Sequence, residues 1–219
     1  MPAGVDKKGK KFIIRSRFNC YRERKMTNIV TMIPVRMAST RLPNKPLLDI
    51  NGKSLLQRVY ENVKKTVPGD VFVAAGDRGI VEACEKFGAK AVLTDPALPS
   101  GTDRIAAALK EIDPEGKYDI VVNFQGDAVN VNPAVNNELI AMIERTGCDI
   151  ATVGMLFDKA GDVKVPSNVK IVMGLREGED EGRCLYFSRA EVPLSATRRA
   201  AKAGISTTIS ASTFTGRNR

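Results

Sequence analysis

Ile29-Val30-Thr31-Met32-Ile33-Pro34-Val35-Arg36-Met37-Ala38-Ser39-Thr40-Arg41-Leu42-Pro43-Asn44-Lys45-Pro46 is an apolar run that breaks straight into a basic loop. Seven uncharged residues, five of them β-branched, read as a buried strand. The loop behind it carries three cations, Arg36, Arg41 and Lys45, away from one strand end. In an open α/β sheet the ligand lies outside the carboxyl ends of the strands, so this loop is placed to meet phosphates. Arginines grip phosphate oxygens in bidentate forks, and a lysine adds a mobile point charge. Ser39 and Thr40 offer hydroxyl and backbone N–H groups that complete a cradle. Pro43 and Pro46 stiffen the loop and lower the entropy of holding Arg41 and Lys45 in one geometry. A triphosphate suits such a cluster; a solvated basic loop is the plain alternative. The stretch is neither a Walker loop nor a Rossmann fingerprint, since both glycine patterns are absent.

Outward from this strand, apolar periods of about 3.6 alternate with short apolar runs. Helices are expected over residues 54 to 66, 78 to 87, from the turn at Ser100 through Ile112, and along Val135, Leu139, Met142 and Ile143. Strands are expected over 71 to 75, 89 to 93, 120 to 124 and 150 to 157. This alternation predicts an α/β fold, a mainly parallel sheet with helices on both faces and ligands at the strand ends. Residues 169 to 173 and 184 to 187 read as two further strands around a charged loop, forming a small hairpin-like β insertion.

Four ordered motifs carry a family resemblance. The first is Pro34 to Leu47 with Asp49-Ile50-Asn51-Gly52-Lys53. Ser100-Gly101-Thr102-Asp103-Arg104, Asn123-Phe124-Gln125-Gly126-Asp127 and Tyr186-Phe187-Ser188-Arg189-Ala190 follow. Together they resemble the cytidylyltransferases that activate acidic sugars, and are most similar to the 3-deoxy-manno-octulosonate cytidylyltransferases, over roughly residues 27 to 193. The resemblance implies a Rossmann-like, nucleotide-diphospho-sugar transferase-like fold. It also implies transfer of CMP from CTP to 3-deoxy-manno-octulosonate for lipopolysaccharide synthesis, with Mg²⁺ as cofactor, a cytoplasmic setting and a homodimer. Activation of a sialic acid, or non-catalytic binding of a nucleotide or nucleic acid, are the competing expectations.

Candidate site residues follow from the motifs. Arg36, Ser39, Arg41 and Lys45 are assigned to the nucleotide phosphates. Asp127 ends the most apolar strand. On its residue type it is equally a turn former or a metal ligand; the resemblance makes it the Mg²⁺ carboxylate, although Ala128-Val129 stand where the family commonly has Glu-Pro. Ser100, Gly101 and Thr102 suffice as an N-capped helix start, and by resemblance also lie beside the cytosine and ribose. Asp77 is a weaker nucleotide contact, equally explained by a turn. By resemblance Gln125 faces the sugar acid and Arg189 pairs with its carboxylate. Arg36, Lys45 and Asp127 are the catalytic set, and Tyr186 and Phe187 are expected in the core.

The chain has 219 residues and a formal net charge of +9, enough length for one α/β domain. Its basicity lies at the ends. Residues 1 to 26 hold 9 basic and 2 acidic side chains, residues 27 to 193 hold 20 and 23, and residues 194 to 219 hold 5 and 0. A slightly acidic centre argues against a nucleic-acid partner, whose footprint lies on a folded face. With no histidine and four well-separated cysteines, zinc sites of the usual Cys/His kinds and histidine acid–base catalysis are set aside. The thiols read as free cysteines in a reducing compartment. No apolar run reaches a membrane span, so no membrane partner is expected. Residues 1 to 26 are expected to be a disordered basic extension, with Met26 as the natural start. Residues 27 to 193 form an incomplete nucleotidyltransferase domain, and 194 to 219 a basic tail without a recognisable fold. Truncation predicts weak catalysis with nucleotide binding retained.

Overall fold

The computed structural model describes residues 11–16, 27–38, 42–129, 132, 134–157, 163–175, 179–192 and 205–212. In chain order the strands are β1 (Lys11–Ser16), β2 (Ile29–Val35), β3 (Asp49–Ile50), β4 (Lys53–Ser54), β5 (Asp70–Ala75), β6 (Lys90–Leu93), β7 (Ile120–Asn123), β8 (Ile150–Leu156), β9 (Lys170–Gly174), β10 (Glu181–Ser188) and β11 (Ile205–Ser212). The helices are α1 (Leu55–Thr66), α2 (Arg78–Lys86), α3 (Gly101–Ile112) and α4 (Val135–Thr146). Two compact units emerge, one of Arg24–Glu138 with Ala211–Arg219, the other of Met1–Glu23 with Leu139–Ser210.

The first unit is built on β2. Strands β6, β5, β2 and β7 lie side by side in that order, all parallel. Parallel strands need crossovers, and α1, α2 and α3 supply them. Val30 and Met32 of β2, Ala74, Val92 and Val121 pack with Ile105 and Ala108 of α3 in one buried cluster. Thr31, Ile33 and Val73 alternate with these along the pleat, so they face the opposite side and are equally buried. On α1, Leu56, Val59, Tyr60 and Val63 recur at helical spacing and are buried, and the Tyr60 ring meets Phe87 beyond α2 at 5.8 Å. Each fully buried side chain of this size contributes about 1.5–3 kcal/mol by leaving water.

Two caps fix where the helices start. Ser54 accepts a hydrogen bond from the Gln57 N–H at α1, and Ser100 accepts one from Asp103 N–H at α3, which satisfies amides that lack intrahelical partners. Asn51 and Gly52, both at positive φ, close the β3–β4 hairpin as Asn-Gly pairs do. The parallel α/β pattern expected from the periodicity is the observed one.

In the second unit β1 is antiparallel to β8 and parallel to β10, and β10 is antiparallel to β9, with a register shift between Cys184 and Tyr186. The predicted β insertion is therefore present. Three expectations differ from the structure. Within the basic extension, Lys11–Ser16 is a strand; within the basic tail, Ile205–Ser212 is another, and its Ala211 and Ser212 pair with Val122 and Val121 of β7. The rest of residues 1 to 26 and 194 to 219 lies outside the described residues. Tyr186 and Phe187, expected in the core, are 49% and 50% exposed; the register shift beside them interrupts the in–out alternation that the sequence pattern assumes. Among the described residues no helix is long and apolar enough to cross a membrane.

Candidate active site

Four chain segments of the first unit converge at the carboxyl ends of its parallel strands. Arg36 follows β2 directly. Beyond it Asn44 adopts a left-handed conformation, φ 55°, which asparagine tolerates better than most residues. That twist opens a short 3₁₀ turn, Lys45–Leu47, closed by Leu47 N–H donating to Asn44 O at 2.9 Å and anchored by buried Pro46. The turn presents Lys45, whose Nζ reaches Asp127 Oδ2 at 2.6 Å.

Asp127 comes from the opposite side, off the end of β7. Phe124 N–H donates to Met32 O, extending the β2–β7 ladder by one bond, and Ala128 N–H turns back onto Gln125 O at 3.1 Å. The residue inside that turn must be small: a Cβ on Gly126 would stand 2.7 Å from Val35 Cγ2 and 3.2 Å from Pro34 O. Gln125 Nε2 donates to Asn123 Oδ1 at 3.1 Å, which orients its amide. On the third side is the start of α3. Ser100 Oγ is engaged within its own helix, accepting from Asp103 N–H and donating to Asp103 Oδ2.

These segments enclose a cavity of about 410 Å³, within the usual size of a small-molecule site. Of the residues singled out in the sequence, Arg36, Lys45, Ser100, Gly101, Gln125 and Asp127 line it. Thr102 and Asp77 are not among its lining residues. Asp77 instead accepts the Met37 N–H through Oδ2 at 2.7 Å. Arg189 belongs to the other unit, where it is exposed and its guanidinium donates to Pro166 O at 3.3 Å. Ser39 and Arg41 lie outside the described residues.

Sequence reasoning quoted Arg104 inside a motif but assigned it no role. It lines the cavity and is only 2% exposed. Its Nη1 donates to Thr94 Oγ1 at 2.6 Å and Asp95 O at 3.2 Å, while Nη2 has no hydrogen-bond partner among the described residues. Burial pushes its pKa below the ordinary arginine value, the nearby Arg36 charge adds to the shift, and Asp77 and Asp95 oppose it. A signal was present: Arg104 falls four residues before Ala108 on the buried stripe of α3, where a charge is out of pattern.

Among the described residues no group of three or more Asp, Glu, His or Cys side chains is arranged to hold a metal ion. Asp127 is a lone carboxylate, 55% exposed in its side chain. That suits a hard cation of the Mg²⁺ type, which keeps waters and takes one or two carboxylates together with substrate phosphates. It does not suit a closed all-protein cage.

The domain thus falls in the α/β class that takes its ligand at the carboxyl ends of a parallel sheet, here in a cleft with fixed cations. Comparison with known proteins narrows the class. The family described as Cytidylyltransferase matches residues 30–215, beyond the span on which the motifs alone rest. Relatives named 3-deoxy-manno-octulosonate cytidylyltransferase include one from Rhodospirillum centenum, 41% identical over 166 residues, which are 76% of this chain and 65% of that one. Another, from Paramagnetospirillum magneticum, is 40% identical over 167 residues, 76% of this chain and 68% of the relative. This chain therefore spans about two thirds of the length of the curated relatives it matches. The solved structure of CMP:2-keto-3-deoxy-manno-octonic acid synthetase complexed with CTP superposes with a TM-score of 0.73 at 31% identity, covering 85% of this chain and 74% of that one. The chain belongs to the cytidylyltransferase family.

Proposed function

We propose that this chain binds CTP and serves the transfer of its CMP group to an acidic sugar, 3-deoxy-manno-octulosonate, with release of pyrophosphate. The observation that carries the proposal is convergence: residues from three of the four motifs line one cavity in the first unit. Membership of the family and the likeness to a CTP-bound synthetase support the same reading.

In this reading Arg36 and Lys45 neutralise the triphosphate, with Arg41 and Ser39 completing the cradle. Ser100 and Gly101 face the nucleoside, and the close approach allowed by Gly101 makes room for it. Gln125, which both donates and accepts, meets the sugar. A sugar hydroxyl attacks the α-phosphorus and gives its proton to water, the new O–P bond forms as the bond from the α-phosphorus to the oxygen bridging to the β-phosphate breaks, and the pyrophosphate leaves on the side of the cations. Positioning and charge neutralisation carry the reaction, so no protein nucleophile and no histidine is needed. Asp127 would hold Mg²⁺, which supplies further neutralisation of the phosphate oxygens when bound. The work belongs in the cytoplasm, where CTP is available.

Titration calorimetry with CTP, UTP and ATP tests the nucleotide part. Saturable binding with CTP preferred is expected; no binding, or equal affinity for all three, rejects it. Pyrophosphate release on adding the sugar acid with Mg²⁺ tests the transfer.

A further inference from the structure

We infer that Asp77 is a positioning residue, one that sets Arg36 for the nucleotide through the backbone without touching the ligand itself. The inference rests on the CTP reading of the cavity. Asp77 occupies the N-cap position of α2, where a carboxylate normally accepts one of the helix's free N–H groups. Its side chain makes no such bond. Oδ2 turns instead to the Met37 N–H, 40 positions back in the chain, at 2.7 Å. The preceding residue acts on the same segment, since Gly76 N–H donates to Val35 O at 2.8 Å. Val35 and Met37 flank Arg36. The cation is therefore fastened on both sides by two consecutive residues at the end of β5.

The first of these two residues also meets Arg104. A Cβ on Gly76 would stand 2.8 Å from Arg104 Nη1 and 2.9 Å from Cζ, so the buried guanidinium lies flat against the Gly76 backbone. Arg36 and Arg104 thus line one cavity with Gly76-Asp77 between their attachments. Two guanidinium groups at one cavity repel each other until an anion arrives. A carboxylate tied to the loop of one, and next to the glycine that seats the other, offsets that repulsion while it fixes the backbone. The consequence is preorganisation: Arg36 meets the phosphates without first paying the entropy of ordering its loop.

The test is a double-mutant cycle on CTP binding, measured by calorimetry on the full chain with Asp77→Ala, Arg36→Ala and the double variant. Asp77→Ala should weaken CTP by about tenfold, the worth of one charged hydrogen bond. The double variant should bind no worse than Arg36→Ala within about twofold, because Asp77 acts only through Arg36. Asp77→Asn keeps an acceptor for the Met37 N–H and should recover to within about threefold of the parent. Amide exchange at Met37, slow in the parent and in Asp77→Asn, should quicken in Asp77→Ala, and this readout serves if that variant folds poorly. Additive losses in the cycle, unchanged CTP affinity in Asp77→Ala, or unchanged Met37 exchange would each overturn the inference. Absence of CTP binding by the parent removes the nucleotide reading as well, whereas parent binding with an unaffected Asp77→Ala removes this inference alone.

Discussion

Replacing Lys45 with alanine separates what the site contributes to the fold from what it contributes to the ligand. The Lys45–Asp127 pair is short, 2.6 Å, but its side chains are 36% and 55% exposed. Exposed pairs of this kind contribute about 0–1 kcal/mol, because water screens them and two side chains must be ordered. For a chain of this length Lys45→Ala should therefore lower the melting temperature by no more than about 4 °C. Binding responds differently. A lysine engaged with phosphate makes a charge-assisted contact worth about 1.5–3 kcal/mol, so CTP affinity should fall about 10- to 150-fold. Asp127→Asn should show the opposite sign in one condition. Without a divalent ion it removes an anion next to the phosphate site, leaves Lys45 free, and should hold or improve CTP affinity; with Mg²⁺ it should weaken binding. Calorimetric titration of CTP with and without Mg²⁺, beside thermal melts, measures all of this. CTP affinity in Lys45→Ala within twofold of the parent, or equal weakening in Asp127→Asn with and without Mg²⁺, would refute the assignment of this cavity to a nucleotide triphosphate.

Gly76→Ala should destabilise the chain by about 1–3 kcal/mol, since the added carbon forces Arg104 off Thr94; an unchanged denaturation midpoint would contradict that contact. Asp70 accepts from the Tyr118 hydroxyl and pairs with Lys90, and these hold its carboxyl below the ordinary value. Its contribution is thus full above the unfolded carboxylate range and is lost as pH falls through the lower folded value. Asp70→Asn should flatten the acid limb of a melting-temperature profile below about pH 4, and superimposable profiles would count against it. Burial raises the Cys84 thiol to about 12, so a thiol reagent at pH 8 should leave Cys84 unlabelled in the folded chain and label it in denaturant; rapid native labelling at Cys84 would disprove its burial.

Local chemistry was legible in the sequence where one residue type permits one role at a known spacing. Ser54 and Ser100 start their helices, the stripes of α1 and α3 face the sheet, and Arg36, Lys45, Gln125 and Asp127 reach one cavity from strand ends. What was not legible depends on partners distant in sequence. Asp77 reads as a turn or a ligand contact until Met37 is seen at its carboxylate. Arg104 has no role in the sequence reading until Thr94 and Asp95 are seen to supply its acceptors. Strand β1 carries no apolar alternation; it exists by pairing with Ile150–Leu156 and Glu181–Ser188, and backbone pairing leaves little trace in side-chain pattern.

The motif glycines carry a second lesson. Small residues at strand ends suggest room for a ligand; Gly101 was assigned to the nucleotide, and Gly126 stands inside the Asp127 motif without a role of its own. Each also eases the packing around the end of β2, Gly126 far more than Gly101. A Cβ on Gly101 would stand 3.3 Å from Pro34 Cγ, and one on Gly126 would collide with Val35 and approach Pro34 O. The Asp127 turn closes on β2 because Gly126 lacks a side chain, and Gly101 spares the helix start a tight contact with Pro34. The closeness that gathers Ser100, Gln125 and Asp127 around Arg36 is therefore a packing property first, and the ligand site is its consequence. It follows that Gly126→Ala should not behave as the loss of a ligand contact. It should displace the turn bearing Asp127 and so lower stability and nucleotide affinity together, unlike Lys45→Ala, which should lower affinity with little loss of stability.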